Sequence, residues 1–134
     1  MSAIEPAFLY LLSHDSGVSD LIAARVYIGS RPQDERRSCL VIGPIDEDYP
    51  HTLAGDLTYV PGGVEIDCRG ATQQEARTLS LAARAALDGK AGTIADCDVM
   101  LIVADSSDSS PVPVEGEGIA MFEITTHYSF WYRP

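Results

Sequence analysis

The sequence predicts an α+β domain in which a mainly antiparallel sheet of about four strands carries helices on one face. Three observations predict it. Thr72–Leu87 combines a helix-start signal with an apolar stripe, Val64–Arg69 alternates apolar and charged residues at strand spacing, and Ile119–Tyr132 repeats that alternation over a longer run. One sheet face is therefore apolar and covered while the other is wet or meets a partner. The 134 residues suffice for one core of ordinary size and not for two. No internal repeat or domain boundary interrupts them.

The elements follow in order. A helix is predicted from Glu5 to Ser13: Pro6 suits a first helical position, Glu5 favours the positive end of the dipole, and Phe8, Leu9, Leu11 and Leu12 form a stripe. His14-Asp15-Ser16-Gly17 breaks it, and a short helix from Ser19 to Ala24 follows. Arg25–Ile28 reads as a short extended piece closed by Gly29 and Pro32. Cys39–Ile45 is apolar on both faces and so suits the middle of the sheet, with Pro44 as its stop. Asp46–Pro61 is acidic and turn-rich.

Val64, Ile66 and Cys68 then point one way, and Glu65, Asp67 and Arg69 the other. In the helix that follows, Thr72 is the N-cap and Glu75 completes a capping box; Leu79, Ala82, Ala83, Ala86 and Leu87 form the stripe, and Gly89 marks the stop. Cys97–Ala104 is a second buried-type strand. Asp105–Gly118, rich in Ser, Pro and Gly, reads as a flexible acidic loop or a projecting arm. In the last strand Phe122, Ile124, Tyr128, Phe130 and Tyr132 share the apolar side; Glu123, Thr125, His127 and Ser129 share the other, with Trp131 near the end.

Charge and composition exclude several functions. Twenty acidic against nine basic residues give a net charge of −11, a field that repels polyanions, so broad nucleic-acid binding is not expected. No apolar run approaches a membrane span, and Glu5 stands where an export signal would carry basic residues. Cys39, Cys68 and Cys97 lack the close spacing of metal or redox motifs and read as small buried hydrophobes of a reducing compartment.

Catalytic patterns are equally absent. His14, His51 and His127 stand alone, and no nucleophile elbow, phosphate loop or dinucleotide fingerprint is present. Glu123, Thr125 and His127 share a strand face about 7 Å apart, the spacing of a solvated face as well as of an acid–base site. Asp46-Glu47-Asp48 fails the EF-hand pattern, because His51 and Leu57 stand where Gly and Glu are required. No enzyme, metal or cofactor is expected.

Three stretches, in order, carry a resemblance. The first is Gly17-Val18-Ser19-Asp20-Leu21-Ile22 with Arg25-Val26-Tyr27 and Arg31-Pro32-Gln33. The second is Thr52-Leu53-Ala54-Gly55-Asp56 with Val64–Thr72 running into the helix that ends Leu87-Asp88-Gly89, and the third is the final strand ending Phe130-Trp131-Tyr132-Arg133. Together they cover most of the chain, which resembles the tail-terminator (tail-completion) family of long-tailed bacteriophages and phage-like particles. Asp105–Gly118 has no counterpart in that pattern.

The resemblance implies a single tail-terminator-like domain over 1–134, assembled as a hexameric homo-oligomer. Such a ring sits at the head-proximal end of the tail tube, stops tube polymerisation and receives the head-completion or connector protein. DNA passes through without specific binding. The location implied is the virion neck, after assembly in the host cytoplasm. The alternatives are a small ligand- or partner-binding α+β module, or another head–tail connector or baseplate component.

On this reading, head-to-tail contacts in the ring set Arg31, Arg36 and Arg37 against the acidic Asp46, Glu47, Asp48 and Asp56 or Asp105, Asp108, Glu115 and Glu117. The alternative for these residues is a set of solvated loops. Glu65, Asp67 and Glu123 are candidates to line the channel. Trp131 is either a contact anchor or a cover for the end of the sheet.

Overall fold

The computed structural model describes residues 4–23, 25–29, 38–47, 51–52, 55–56, 59–113 and 120–133. Helix α1 (Glu5–His14) has Pro6 in its first turn, where a missing N–H costs nothing, and buries Ala7, Phe8 and Leu12. Asp15 is extended and caps α2 (Ser16–Ile22), its Oδ2 accepting the Val18 amide at 3.0 Å. This cap starts α2 three residues before the Ser19 start read from the sequence, and Ala23, at φ 52°, ends it.

The remaining elements are β1 (Val26–Ile28), β2 (Cys39–Glu47), β3 (His51–Thr52), β4 (Gly55–Asp56), β5 (Val60–Gly70), α3 (Gln73–Leu87), β6 (Gly92–Ile94), β7 (Cys97–Pro113) and β8 (Ala120–Arg133). At the start of α3, Thr72 Oγ1 accepts the Glu75 amide at 3.1 Å while Glu75 Oε2 accepts the Ala71 amide at 3.0 Å. The expected reciprocal cap is present, shifted by one residue on its return arm.

The sheet differs from the four antiparallel strands expected. It has six, in the order β1-β2-β5-β8-β7-β6; β1 pairs with β2 in parallel and every other pair is antiparallel. Strands β3 and β4 form a separate two-residue pair. Two local features also depart from expectation. A tight turn with Ala95 and Asp96 at φ 49° and 64° folds β6 back onto β7 without the glycine that usually announces such a turn. Pro44, read as a stop, instead sits in a bulge where Gly43 and Pro44 face only Glu65 across the strand pair.

Of the expected acidic loop at 105–118, residues 105–113 are strand paired to β8; 114–118 lie outside the described residues. The serines and prolines give no apolar alternation, so the strand is set by its ladder with β8 and not by propensity.

Helices α1, α2 and α3 cover one face. Phe8, Leu12, Ile22, Leu79 and Leu87 meet Leu40, Ile42, Val64, Ile66, Tyr128 and Phe130 in a single buried cluster. Phe8 and Phe130 meet edge to face, centroids 5.8 Å apart. Gly62 makes room for Phe130: a Cβ there would lie 2.3 Å from the Asp46 carbonyl oxygen and 2.6 Å from the Phe130 ring.

Candidate functional site

The face turned away from the helices is the candidate site. Strands β5 and β8 pair without a break from Val60↔Tyr132 to Gly70↔Phe122. Directly opposed residues project to the same side, so the alternation seen in each strand becomes a ladder of polar pairs: Glu65↔His127, Asp67↔Thr125 and Arg69↔Glu123.

Each rung is a contact. His127 Nδ1 lies 3.6 Å from Glu65 Oε1, both side chains well exposed. The Thr125 hydroxyl lies 2.7 Å from Asp67 Oδ1 and 3.3 Å from Glu123 Oε1; with one proton it donates to one carboxylate at a time, the nearer being Asp67. Arg69 Nε donates to Glu123 Oε2 at 2.6 Å, with the side chains only 20% and 16% exposed. Being sheltered from solvent, this charge-assisted bond is the strongest of the three.

Neighbouring strands extend the face. On β7 the Asp105 carboxylate accepts a short hydrogen bond from the Ser129 hydroxyl. On the other flank Cys39 and Val41, opposite Arg69 and Asp67, are buried and belong to no part of the main core cluster. Burial pushes the Asp67 carboxyl above its ordinary range; the Thr125 hydrogen bond opposes this and the nearby Glu123 charge reinforces it. A shallow concavity of about 290 Å³ opens between Pro44, Asp46, Glu65, Asp105, His127 and Ser129.

The arrangement makes a negative surface with internal pairing. Glu65, Asp67, Glu123 and Asp105 are set against one permanent cation, Arg69. The acid–base grouping considered from spacing is not assembled as such: Glu123 is held by Arg69, and His127 faces Glu65 in the open. The three cysteines are free and buried, and burial pushes the Cys68 and Cys97 thiols up, away from nucleophilic thiolate. Among the described residues no group of three His, Cys, Asp or Glu side chains converges as metal ligands would, and no helix is long and apolar enough to cross a membrane.

The predicted interface residues scatter. Arg31, Arg36, Arg37, Asp48, Glu115 and Glu117 lie outside the described residues. Asp56 stands in the short β3–β4 pair. Asp46, next to last in β2, is exposed, whereas Glu47, which ends the strand, accepts the Tyr132 hydroxyl at 3.0 Å and is tied to the fold. Asp105 and Asp108 are exposed on β7, the first over the polar face and the second beside α3. Trp131 is half-buried between its cross-strand partners Pro61 and Leu101, which makes an apolar end to the polar face. Ser129 stands on that face as its alternation predicts, but sequence reasoning missed Asp105 as a member, because the only signal was a β7 strand too polar to be read as one.

Comparison with known proteins places this geometry. No curated protein matches the chain. A solved structure described as "Virion of native gene transfer agent (GTA) particle" contains a chain of the same fold: TM-score 0.75 and 16% identity, over 95% of this chain and 92% of that one. The family model described as "Tail completion protein gp17" matches residues 6–133. The chain therefore belongs to the tail completion protein gp17 family, which makes it a component of a phage-type virion tail.

Proposed function

We propose that six copies of this chain close into a ring at the head-proximal end of the tail tube. The ring ends tube polymerisation, receives the head connector and lets DNA through its hole. The family match over residues 6–133 carries this reading, and the fold shared with a chain of the gene transfer agent particle supports it.

The polar ladder suits a channel wall. Duplex DNA adheres to clustered Lys and Arg through counterion release, so a wall of carboxylates lets it slide. Here Arg69 is the one arginine of the ladder, and Glu123 neutralises it at 2.6 Å. Glu65, Asp67 and Glu123 thus line the bore without offering phosphates a free cation. The apolar end at Pro61, Leu101 and Trp131 would then meet the tube or the connector. The protein acts by shape and charge in this account, with no bond made or broken.

Electron microscopy of the purified protein mixed with tail tubes tests it. Tubes capped by six-membered rings and arrested in length are the expected result. Tubes that continue to elongate, uncapped, in the presence of excess protein would overturn it.

A further inference from the structure

The helix-covered side holds a surface that the channel reading does not use. Along α3, Arg77, Leu81 and Arg84 fall at helical spacings of four and three and form an outward stripe. Leu81 is 56% exposed, more than any other large hydrophobic among the described residues. Arg77 makes no ion pair among them, and Arg84 reaches Asp88 only at 3.9 Å with both side chains in solvent. Two exposed arginines, only one of them ion-paired, flanking an exposed leucine are unexpected in a chain of net charge −11.

The stripe forms one wall of a trough of about 640 Å³; Ser107, Ser109 and Ile124 line the other side, together with the carboxylate-bearing Asp108. Its outer side is open. Residues 88–90 and β6 bond to β7 only as far as Ala104, and among the described residues no strand pairs with Asp105–Ser109 on the side away from β8. With two cations against the single carboxylate of Asp108, an apolar anchor and an unpaired strand edge suit an extended acidic segment.

We infer that the occupant is a second copy of this chain, whose acidic end of β2 at Asp46 enters the trough. This rests on the ring reading above. Asp46 is exposed, follows the apolar Ile45 and makes no ion pair among the described residues. The sheet order sets β2 and β7 two strands apart, on opposite flanks of β5 and β8. Each copy therefore offers the acidic patch on one flank and the basic trough on the other, as a head-to-tail contact that closes on itself requires. Opposite charges on the two patches fix the register and disfavour like-to-like pairing.

A photo-crosslinking amino acid at position 81, irradiated in assembled tails and mapped by mass spectrometry, tests the inference. A crosslink to the Asp46 region of another copy is expected. Arg77→Glu with Arg84→Glu should lower it at least tenfold, as should Asp46→Arg alone. Combining the three should restore it to within about threefold, all with wild-type circular dichroism. Tails that carry the protein but crosslink position 81 to the tube or connector protein, or to nothing, would overturn the inference and leave the ring reading standing. An undiminished self-crosslink in the Arg77→Glu/Arg84→Glu variant would also overturn it. Tails that lack the protein would overturn the ring reading and this inference with it.

Discussion

Two side chains carry the clearest consequences of burial. Tyr128 is 1% exposed, and its hydroxyl is the one buried side-chain polar atom left unbonded among the described residues. A buried hydroxyl without a partner loses its water and gains nothing, at a cost of about 1–3 kcal/mol. Burial also holds its proton firmly, well above the ordinary tyrosine range. Tyr128→Phe should therefore stabilise the fold by about 1 kcal/mol in a denaturant melt, unlike most core changes. Asp67 supplies the second consequence. Its folded-state pKa is raised above the ordinary 3.8, so the folded protein holds this proton more tightly than the unfolded chain does. Stability from this group is complete below pH 3.8 and is lost as pH rises through the folded value. Asp67→Asn keeps an acceptor for Thr125 and cannot ionise. Its advantage over wild type should be absent at low pH and grow as the wild-type carboxyl titrates, as measured by melts across a pH series.

At the scale of elements, sequence and structure agree where a strand or helix carries its own reason to form. The α3 helix, β5 and the core of β8 were legible because caps and two-residue alternation are local signals. Thr72→Ala should cost about 1 kcal/mol by removing the acceptor for the Glu75 amide, read as a lower thermal midpoint with unchanged secondary structure. Three features were not legible, each for a different reason. The parallel β1–β2 pairing joins Val26–Ile28 to Leu40–Ile42, a non-local choice that no short pattern encodes. The β6 turn runs through Ala95 and Asp96 in left-handed conformations that alanine rarely adopts. The far half of β7 is serine, aspartate and proline, and it is strand only because β8 supplies the ladder. Within the site, Glu65, Asp67 and Glu123 could be put on one face from parity alone. That Arg69 neutralises Glu123 and His127 faces Glu65 required the register between strands 54 to 62 residues apart in sequence.

For the whole molecule, the polar face separates assembly effects from folding effects. Glu65 is exposed and Glu123 is sheltered against Arg69, so the two carboxylates will not respond alike to charge reversal. Glu65→Lys should leave the melt unchanged within about 0.5 kcal/mol, since its rung with His127 lies in solvent. In the ring it would set six free cations in the bore and slow DNA ejection, measurable as delayed release from assembled particles. Glu123→Lys would set two cations together in a half-buried site and should unfold the protein more readily, so its ejection defect alone would not report on the bore. Trp131→Ala removes the centre of the Pro61–Trp131–Leu101 patch. It should cut tail docking at least tenfold in a capping assay while the monomer stays folded; unchanged docking would remove Trp131 from the contact.

The bulges show how such a sheet tolerates change in chain length. Registers shift in β2 between Ile42 and Ile45, and in β7 between Val99 and Leu101 and again between Ala104 and Ser106, whereas β5 and β8 run against each other unshifted for eleven pairs. One residue inserted into either central strand would exchange the inward and outward sets, carrying carboxylates into the core and Tyr128 and Phe130 into water. The flanking strands have already taken up odd residues as local kinks. Descendants of this sequence should therefore accumulate insertions and deletions at the flanks and conserve residue count through the middle.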